Sequence, residues 1–274
     1  VVHGRRIETN IGYALQQSNN HGISEAVGLW TLGVLFPEFL DAVRWRELGA
    51  ELLAKQVAEL IYDDGSFSQH SVNYHRVMLH DCLWALKVGD SAEERLPDVV
   101  RERVQLAGKW LKAMIIGRDG ATPNYGANDG ALVFPMTNCD YTDFRPVVQT
   151  MEMVISNQAA FPSGPWDEEA LWFGGMKLLE LPRPKNEIPE LKLEATEGGY
   201  YTMRGSSSAV FIRCPERFRH RPSQADLLHV DLWWRGENVA MDAGTFSYNA
   251  PEPWNNALVH TRVHNTVSVA GRDQ

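Results

Sequence analysis

The side chains best suited to chemistry lie near the end of the chain, in residues 224–267. Residues 224–234 read Gln-Ala-Asp-Leu-Leu-His-Val-Asp-Leu-Trp-Trp, and Asp242 and His264 follow. The alternation over residues 227–234 predicts a β-strand with one apolar and one polar face. We predict that Leu228, Val230, Leu232 and Trp234 form the core face, and that His229, Asp231 and Trp233 face outward.

The predicted outer face suggests a carbohydrate-binding wall. An outward-facing Trp233 is a platform on which a sugar ring can stack, although packing at a sheet edge explains it equally well. His229 is as readily structural as functional. The nearby positive charge of Arg213, Arg217, Arg219 and Arg221 indicates an anionic ligand.

The first half of the chain offers two further groups. Asn20-His21 begins a predicted helix, and Glu25 follows His21 by four residues, on the helix face where it can orient the ring. Tyr74-His75 begins another helix, where the Tyr74 hydroxyl could give or take a proton. Taken alone, each group is more typical of a helix cap or a packed helix end.

A long connection over residues 117–137 contains Pro-Asn-Tyr-Gly-Ala-Asn-Asp-Gly at 123–130. Connections of this length without a helix or strand are usually functional. Asn124, Tyr125 and Asn128 are therefore candidates for substrate binding.

Two halves of different periodicity must position these groups. Apolar spacing predicts helices over residues 3–18, 23–35, 43–62, 71–88, 95–116, 142–156 and 167–180. Alternation predicts strands over residues 198–204, 207–213, 227–234, 237–242 and 263–269. The predicted fold is α+β, with a helical domain at residues 1–180, a proline-containing linker at 181–196, and the start of an antiparallel β-sandwich at 197–274.

Charge and composition narrow the function. The net charge is −9, and because residues 191–274 hold nine Lys/Arg and nine Asp/Glu, the excess lies in the helical half. This balance disfavours nonspecific nucleic-acid binding and argues mildly against a densely sulfated substrate. The three cysteines lack metal-ligand spacing, and no apolar run is long enough to span a bilayer. The chain ends just after a predicted strand, so we expect the sandwich to be incomplete.

In order along the chain, these segments resemble the heparinase II/III-like polysaccharide lyases. The resemblance rests on Asn20-His21, Asp64-Gly65-Ser66 leading to Tyr74-His75, residues 123–130, Arg221-Pro222 through Trp234, Asp242 through Thr245, and His264 through Val267. It implies an incomplete α/α toroid followed by an antiparallel β-sandwich. It also implies an anionic uronate polysaccharide or oligosaccharide as partner, and a periplasmic or secreted location.

The resemblance further implies cleavage by β-elimination. Such a reaction needs a group that neutralises the uronate carboxylate, a base for the C5 proton and an acid for the leaving oxygen. Asn20 and His21 would neutralise the carboxylate, Tyr74 would be the acid and perhaps the base, and His220 would be a further catalytic residue. A tyrosine base needs a nearby positive charge, because its ordinary pKa is about 10. The implied substrate-binding residues are Glu25, His75, Asn124, Tyr125, Asn128, Arg219, Arg221 and Trp233.

The chain departs from the family pattern in the sheet domain. Many members carry a His-x-His pair where this chain has Pro222 and Gln224, and one histidine of that pair is a metal ligand. The remaining ligand-like residues are Asp242 and His264. Two protein ligands with the Gln224 amide make a poor zinc site. The sequence therefore leaves open whether the protein binds zinc, and it indicates no other cofactor.

Two alternatives stay open. The Pro222 and Gln224 departures favour a glycan-binding protein that kept the fold but lost the chemistry. A toroid glycoside hydrolase would instead need a carboxylate pair about 5–10 Å apart. Asp63, Asp64 and Asp129 are the candidates for that pair.

Overall fold

The computed structural model describes residues 1–186, 192–218 and 222–274. In these ranges the first half of the chain is helical. Its helices are α1 Val2–Gln16, α2 Asn20–Leu35, α3 Ala42–Leu60, α4 Val72–Ala92, α5 Asp98–Met114, α6 Arg145–Ile155, α7 Asp167–Gly174 and α8 Met176–Leu179. No helix in the described ranges is both long and apolar enough to cross a membrane.

The second half forms one antiparallel sheet in the strand order β1-β2-β3-β4-β5. The strands are β1 Lys192–Ala195, β2 Tyr200–Arg204, β3 Ser208–Arg213, β4 His229–Trp234 and β5 Glu237–Ala240, and two short 3₁₀ helices follow at Ala257–Val259 and Thr261–Val263. Strand β1 lies inside the predicted linker 181–196, of which residues 187–191 are outside the described part of the chain. The strand predicted over 263–269 does not form, because side-chain contacts at His264 and Asn265 replace a sheet ladder there.

Helix α4 lies at the centre of the helical half and is buried along most of its length. It packs against α2, α5 and α6, while α2 packs closely on α3. The α2–α3 approach depends on Gly49, since a Cβ there would lie 2.4 Å from the Trp30 backbone nitrogen. These contacts make one core in which α2 and α4 hold fixed positions.

Helices α2 and α4 run in the same direction. The backbone nitrogen of Asn20 donates to Gln69 just before α4, and farther along both helices the Trp30 indole donates to the Ala85 carbonyl. Their N-termini therefore lie at the same end of the helical half. Asn20 and Tyr74 each stand in the first turn of one of these helices.

The two faces of β4 are the reverse of the prediction. His229, Asp231 and Trp233 are buried, whereas Leu232 and Trp234 are 46% and 51% exposed. The polar side chains tolerate burial because they bond one another and their neighbours: His229 Nε2 lies 2.7 Å from Asp231 Oδ1, and Asn238 donates to Asp231 at 2.8 Å. Trp233 is consequently not an outward stacking platform.

A buried aromatic cluster joins the sheet to the helices. Tyr200 on β2 lies within ring-contact distance of Trp110 on α5 and of Tyr125 in the long connection. Its hydroxyl is 2.7 Å from Nδ1 of His70, next to the residue that caps α4. This contact fixes the start of α4 relative to the sheet.

Replacing Tyr200 with Phe removes this hydroxyl from a fully buried site. We expect the free energy of unfolding to fall by about 1–3 kcal/mol, because His70 loses a buried partner. Tyr201→Phe on the opposite side of β2 is the matched control, with an expected change below about 0.5 kcal/mol. Urea denaturation measures both, and equal changes in the two variants would contradict the role given to Tyr200.

Candidate active site

Tyr74 is the residue around which the candidate active site is built. Ser71 caps α4 by accepting the Tyr74 backbone N–H at 3.2 Å, and the Ser71 hydroxyl donates to the Ala127 carbonyl at 2.5 Å. The cap therefore ties the first turn of α4 to the connection that contains Asn124 and Asn128. The local sequence explains this geometry, since serine is a favoured N-cap residue.

The Tyr74 hydroxyl lies among acceptors. It donates to Asp129 Oδ2 at 2.9 Å and lies 3.4 Å from the Tyr248 hydroxyl. Burial raises the pKa of Tyr74 well above its ordinary value, and Tyr248 and Asp129 raise it further. Tyr74 is therefore held in its protonated form, which suits an acid better than a base.

A polar network supports the same connection. The Tyr141 hydroxyl lies 2.6 Å from Asn73 Oδ1 and 2.7 Å from Asn128 Oδ1. The Asn128 backbone nitrogen donates to the Thr245 hydroxyl at 3.1 Å, across to the sheet domain. Asn128 is thus fixed between the helices and the segment that follows Asp242.

Asn124 is exposed and lies against Gly244. A Cβ at position 244 would lie 2.3 Å from Asn124 Nδ2, so the close approach requires glycine, whose φ here is +67°. Asn124 and Asn128 therefore both line the boundary between the connection and the sheet domain. Their substrate-binding role stays a prediction.

Asn20, His21 and Glu25 lie at the same end of the helical half as Tyr74. His21 is exposed and Asn20 is half-buried, with its side-chain oxygen lacking a hydrogen-bond partner in the described structure. Burial raises the pKa of Glu25 while the charge of His21 lowers it, and the orientation of His21 by Glu25 stays a prediction. No hydrogen bond joins Asn20 or His21 to Tyr74 in the described residues, so a shared substrate contact stays a prediction.

The predicted cations of the sheet domain lie partly outside the described structure. Arg219, His220 and Arg221, all predicted to contact substrate or to act in catalysis, lie outside the described residues. Arg213 is described, and it is buried in an ion pair with Asp226. Arg213 therefore holds the sheet together instead of facing an open cleft.

His75 and Tyr125, both predicted to bind substrate, are instead buried packing residues. The His75 ring stacks on Trp110, with a centroid distance of 4.5 Å, and its Nε2 contacts the Ala107 carbonyl at 2.9 Å. Tyr125 is 2% exposed and stacks on Phe211. Because neither ring has an open face, neither suits a sugar contact.

Gln224 is not a metal ligand in this arrangement. Its Oε1 accepts the Gly126 backbone N–H at 3.0 Å, and its Nε2 donates to the Gly244 carbonyl at 3.1 Å. Both ends of the amide are used, so Gln224 bridges the long connection and the sheet domain.

His229, Asp242 and His264 form the one group in the described residues with ligand atoms close enough to hold a metal, all within 4.8 Å of one another. Asp242 Oδ2 and His264 Nδ1 are buried 3.2 Å apart, and neither these two atoms nor His264 Nε2 has any other hydrogen-bond partner in the described residues. Two histidines and a carboxylate match the donor types of zinc, so these residues fit such an ion. His229, which the sequence leaves equally structural or functional, completes the set. Its Nε2 lies 2.7 Å from Asp231 Oδ1 and its Nδ1 accepts the Asn265 backbone N–H at 3.2 Å, so a bound metal would displace one of these contacts.

His229 also shows how the set is balanced without an ion. Burial works against a charged ring, but the hydrogen bond to Asp231 and the charges of Asp242, Asp231 and Asp226 outweigh burial and raise the pKa of His229. Either a proton or a bound cation therefore compensates these carboxylates. All three side chains are fully buried, so solvent does not screen their charges. A bound cation would therefore stabilise this part of the sheet domain by neutralising the carboxylates.

Asp129, Tyr141 and Tyr248 are the residues of the Tyr74 environment that sequence reasoning missed as parts of one site. From the sequence, Asp129 is a candidate only for the carboxylate pair of a hydrolase. A short-range pattern cannot show that residues 74, 129 and 248 meet, because their contact arises only when the connection and the sheet fold against α4.

Two protein-family models match the chain. Heparinase II/III N-terminus matches residues 3–131, and Heparinase II/III-like, C-terminal, matches residues 188–274. The chain belongs to the heparinase II/III-like family.

Two relatives resemble the chain along most of its length. A heparin-sulfate lyase from Bacteroides thetaiotaomicron is 25% identical, covering 94% of this chain and 38% of that protein. A heparin-sulfate lyase from Pedobacter heparinus is also 25% identical, covering 92% and 36%. The chain thus spans less than half the length of these relatives.

Solved structures confirm the fold. A crystal structure of heparinase III superposes on this chain with a TM-score of 0.72 and 19% identity. The match covers 98% of this chain and 42% of the heparinase III chain. The structure of the heparan sulfate lyase HepC from Pedobacter heparinus covers 93% and 38%, with a TM-score of 0.63 and 22% identity. The predicted toroid followed by part of an antiparallel β-sandwich is therefore confirmed.

The buried position of His75 predicts a pH dependence of stability. Burial lowers the pKa of His75 to about 4, below its ordinary value of 6.5. Between these two pKa values the unfolded chain binds a proton at His75 and the folded chain does not. The stability that comes from a neutral His75 is therefore complete above pH 6.5 and is lost as the pH falls towards 4. Between pH 7 and about pH 5, the unfolding free energy should fall by about 2 kcal/mol more in the wild type than in His75→Gln. Denaturation curves at both pH values measure this difference, and parallel losses would show that His75 titrates normally.

The His229–Asp242–His264 set predicts one zinc ion per chain. Asp242→Asn and His264→Gln should each weaken zinc binding by more than about tenfold, because each removes a ligand. His260→Gln, in the exposed His260–Asp273 pair, is the control and should bind zinc unchanged. Equilibrium dialysis with elemental analysis measures the affinity, and retention of zinc by both ligand variants would place the ion elsewhere.

Proposed function

We propose that the protein is a polysaccharide lyase that cleaves a uronate-containing glycan by β-elimination, with Tyr74 as the acid. The observation that carries the proposal is the Tyr74 hydroxyl, held protonated beside Asp129 and Tyr248 at the boundary of the two domains. An acid at this position must keep its proton until the leaving oxygen needs it. The raised pKa of Tyr74 keeps that proton in place before the leaving oxygen needs it, and it makes the phenolate form required of a base unfavourable.

The proton balance of the reaction requires a second group. The C5–H bond breaks as a base takes the proton, the electron pair forms the C4–C5 double bond, and the C4–O bond breaks as Tyr74 protonates the leaving oxygen. Burial, Tyr248 and Asp129 all disfavour a Tyr74 phenolate, so we assign the base to another residue. We propose His220, which is among the catalytic residues predicted from the sequence.

Asn20 and His21 are proposed to bind the uronate carboxylate. Both residues lie in the first turn of α2, whose N-terminus is at the same end as that of α4. The positive ends of two helix dipoles favour a carboxylate there. Its neutralisation makes the C5 proton acidic enough to be removed.

The relatives favour a sulfated glycosaminoglycan as substrate, because two of them are named heparin-sulfate lyases. This runs against the mild expectation drawn from the acidic helical half. Net charge is a poor guide here, because local groups set the potential where the glycan binds. A periplasmic or secreted location remains part of the proposal.

The hydrolase alternative loses its proposed carboxylates. Asp64 accepts the backbone N–H groups of Ser66, Glu197 and Gly198, and Asp63 pairs with Arg103. Asp64 therefore joins the turn between α3 and α4 to the β1–β2 turn, and Asp63 joins the same turn to α5. Asp129 alone remains beside Tyr74, without a partner carboxylate from this group.

Tyr74→Phe should lower kcat by at least about 10³-fold, because it removes the acid while keeping the ring. Substrate affinity should change by less than about threefold. The assay is the ultraviolet absorbance of the unsaturated product, with heparan-type, unsulfated and alginate polymers as substrates. Tyr13→Phe, an exposed tyrosine on α1, is the control.

Full turnover by Tyr74→Phe would remove Tyr74 from the mechanism. Binding without product in the wild type, on every uronate polymer, would instead favour the glycan-binding alternative.

A further inference from the structure

A second cavity lies between the helices and the sheet, and it shares no residue with the Tyr74 environment. Its volume is about 650 Å³, and the end of α5, the connection that follows it and the β2–β3 turn line it. None of its described lining residues carries a carboxylate. Four of them are cationic: Lys112, Arg118, Arg204 and Arg235. The cavity is therefore a positively charged region in a protein whose net charge is −9.

The cations have defined positions but few anionic partners. Arg204 donates to the Ala113 and Ile115 carbonyls at 2.8 and 2.5 Å, which holds its guanidinium in the cavity wall. Lys112, Arg118 and Arg235 form no ion pair with a carboxylate in the described residues. Arg118 lies flat against Gly236, where a Cβ would be 2.5 Å from its Cγ. Clustered like charges repel one another, and an anion between them would relieve that repulsion.

Trp233 also lines the cavity, although it is only 4% exposed and its indole nitrogen is buried below the cavity surface. Neutral donors add to the charge of the cations. The exposed hydroxyls of Ser206, Ser207 and Ser208 stand on the same rim. Phe161 and Ile115 contribute apolar surface suited to the C–H face of a sugar ring.

We propose that this cavity is a subsite for an oxyanion carried by a saccharide, held by Arg118, Arg235 and Lys112, with Trp233 in its wall as a reporter of binding. On the glycan proposed above the oxyanion is a sulfate ester, an identity that rests on the proposed function. None of the residues that line the cavity belongs to the Tyr74 environment. The subsite therefore engages a different part of the glycan from the unit that contacts Tyr74.

The test follows the Trp233 indole N–H directly. Protein carrying Tyr74→Phe, so that no glycan is cleaved, is labelled with ¹⁵N-tryptophan, and Trp233→Phe assigns the resonance. The probes are sodium sulfate, a size-defined heparan-type oligosaccharide and its desulfated counterpart. We expect sulfate and the sulfated oligosaccharide to shift the Trp233 resonance. A shift with the desulfated oligosaccharide at equal affinity would assign the oxyanion to a carboxylate.

Variants that remove positive charge distinguish binding in the cavity from nonspecific attraction of the oligosaccharide to surface arginines. Arg118→Ala with Arg235→Ala should weaken oligosaccharide binding by at least about tenfold, because charge-assisted hydrogen bonds are lost. Arg6→Ala, an exposed arginine without an ion pair in the described residues, should change it by less than about twofold. No shift of Trp233 with any probe, or equal binding by the double variant and the control, would overturn the proposal. Because binding is measured without turnover, this outcome is independent of whether the wild type is a lyase.

Discussion

The site depends on how the long connection and the sheet domain are fixed against the start of α4. Tyr200 bonds His70 immediately before the Ser71 cap, and Gln224 joins Gly126 to Gly244 from the opposite side. Because these contacts are buried, they hold Tyr74 and the connection in one arrangement. Residues that do no chemistry thereby place the Tyr74 hydroxyl beside Asp129.

This arrangement decides what Tyr74 can do. A tyrosine that serves as a base needs a nearby cation to lower its pKa, whereas Tyr74 lies beside a carboxylate and a second hydroxyl. The acid role proposed here follows from that environment. The departure at Gln224 also gains an explanation, because its amide bonds two backbone groups across the domain boundary instead of binding a metal.

The sequence predicted the elements well and the site in part. Helical spacing located α2 and α4 within a few residues, because their buried faces repeat with the period of a helix. Alternation located β4 but assigned its faces wrongly, since His229 and Asp231 satisfy each other in the interior while Leu232 and Trp234 are exposed. The same rule of apolar burial made Trp233 look like an outward platform. The contact of Tyr74 with Asp129 spans 55 residues and arises from tertiary packing, which no local pattern reports.

The protonation state of Tyr74 is the central claim, and NMR of ¹³Cζ-labelled tyrosine tests it most directly. Tyr74→Phe assigns the resonance, and the pH is raised through 10, the ordinary pKa of tyrosine. The account predicts that the Tyr74 signal stays at its protonated shift at pH 10, because burial, Tyr248 and Asp129 all raise its pKa. Titration of Tyr74 at or below pH 10 would contradict the acid assignment and would restore a tyrosine base.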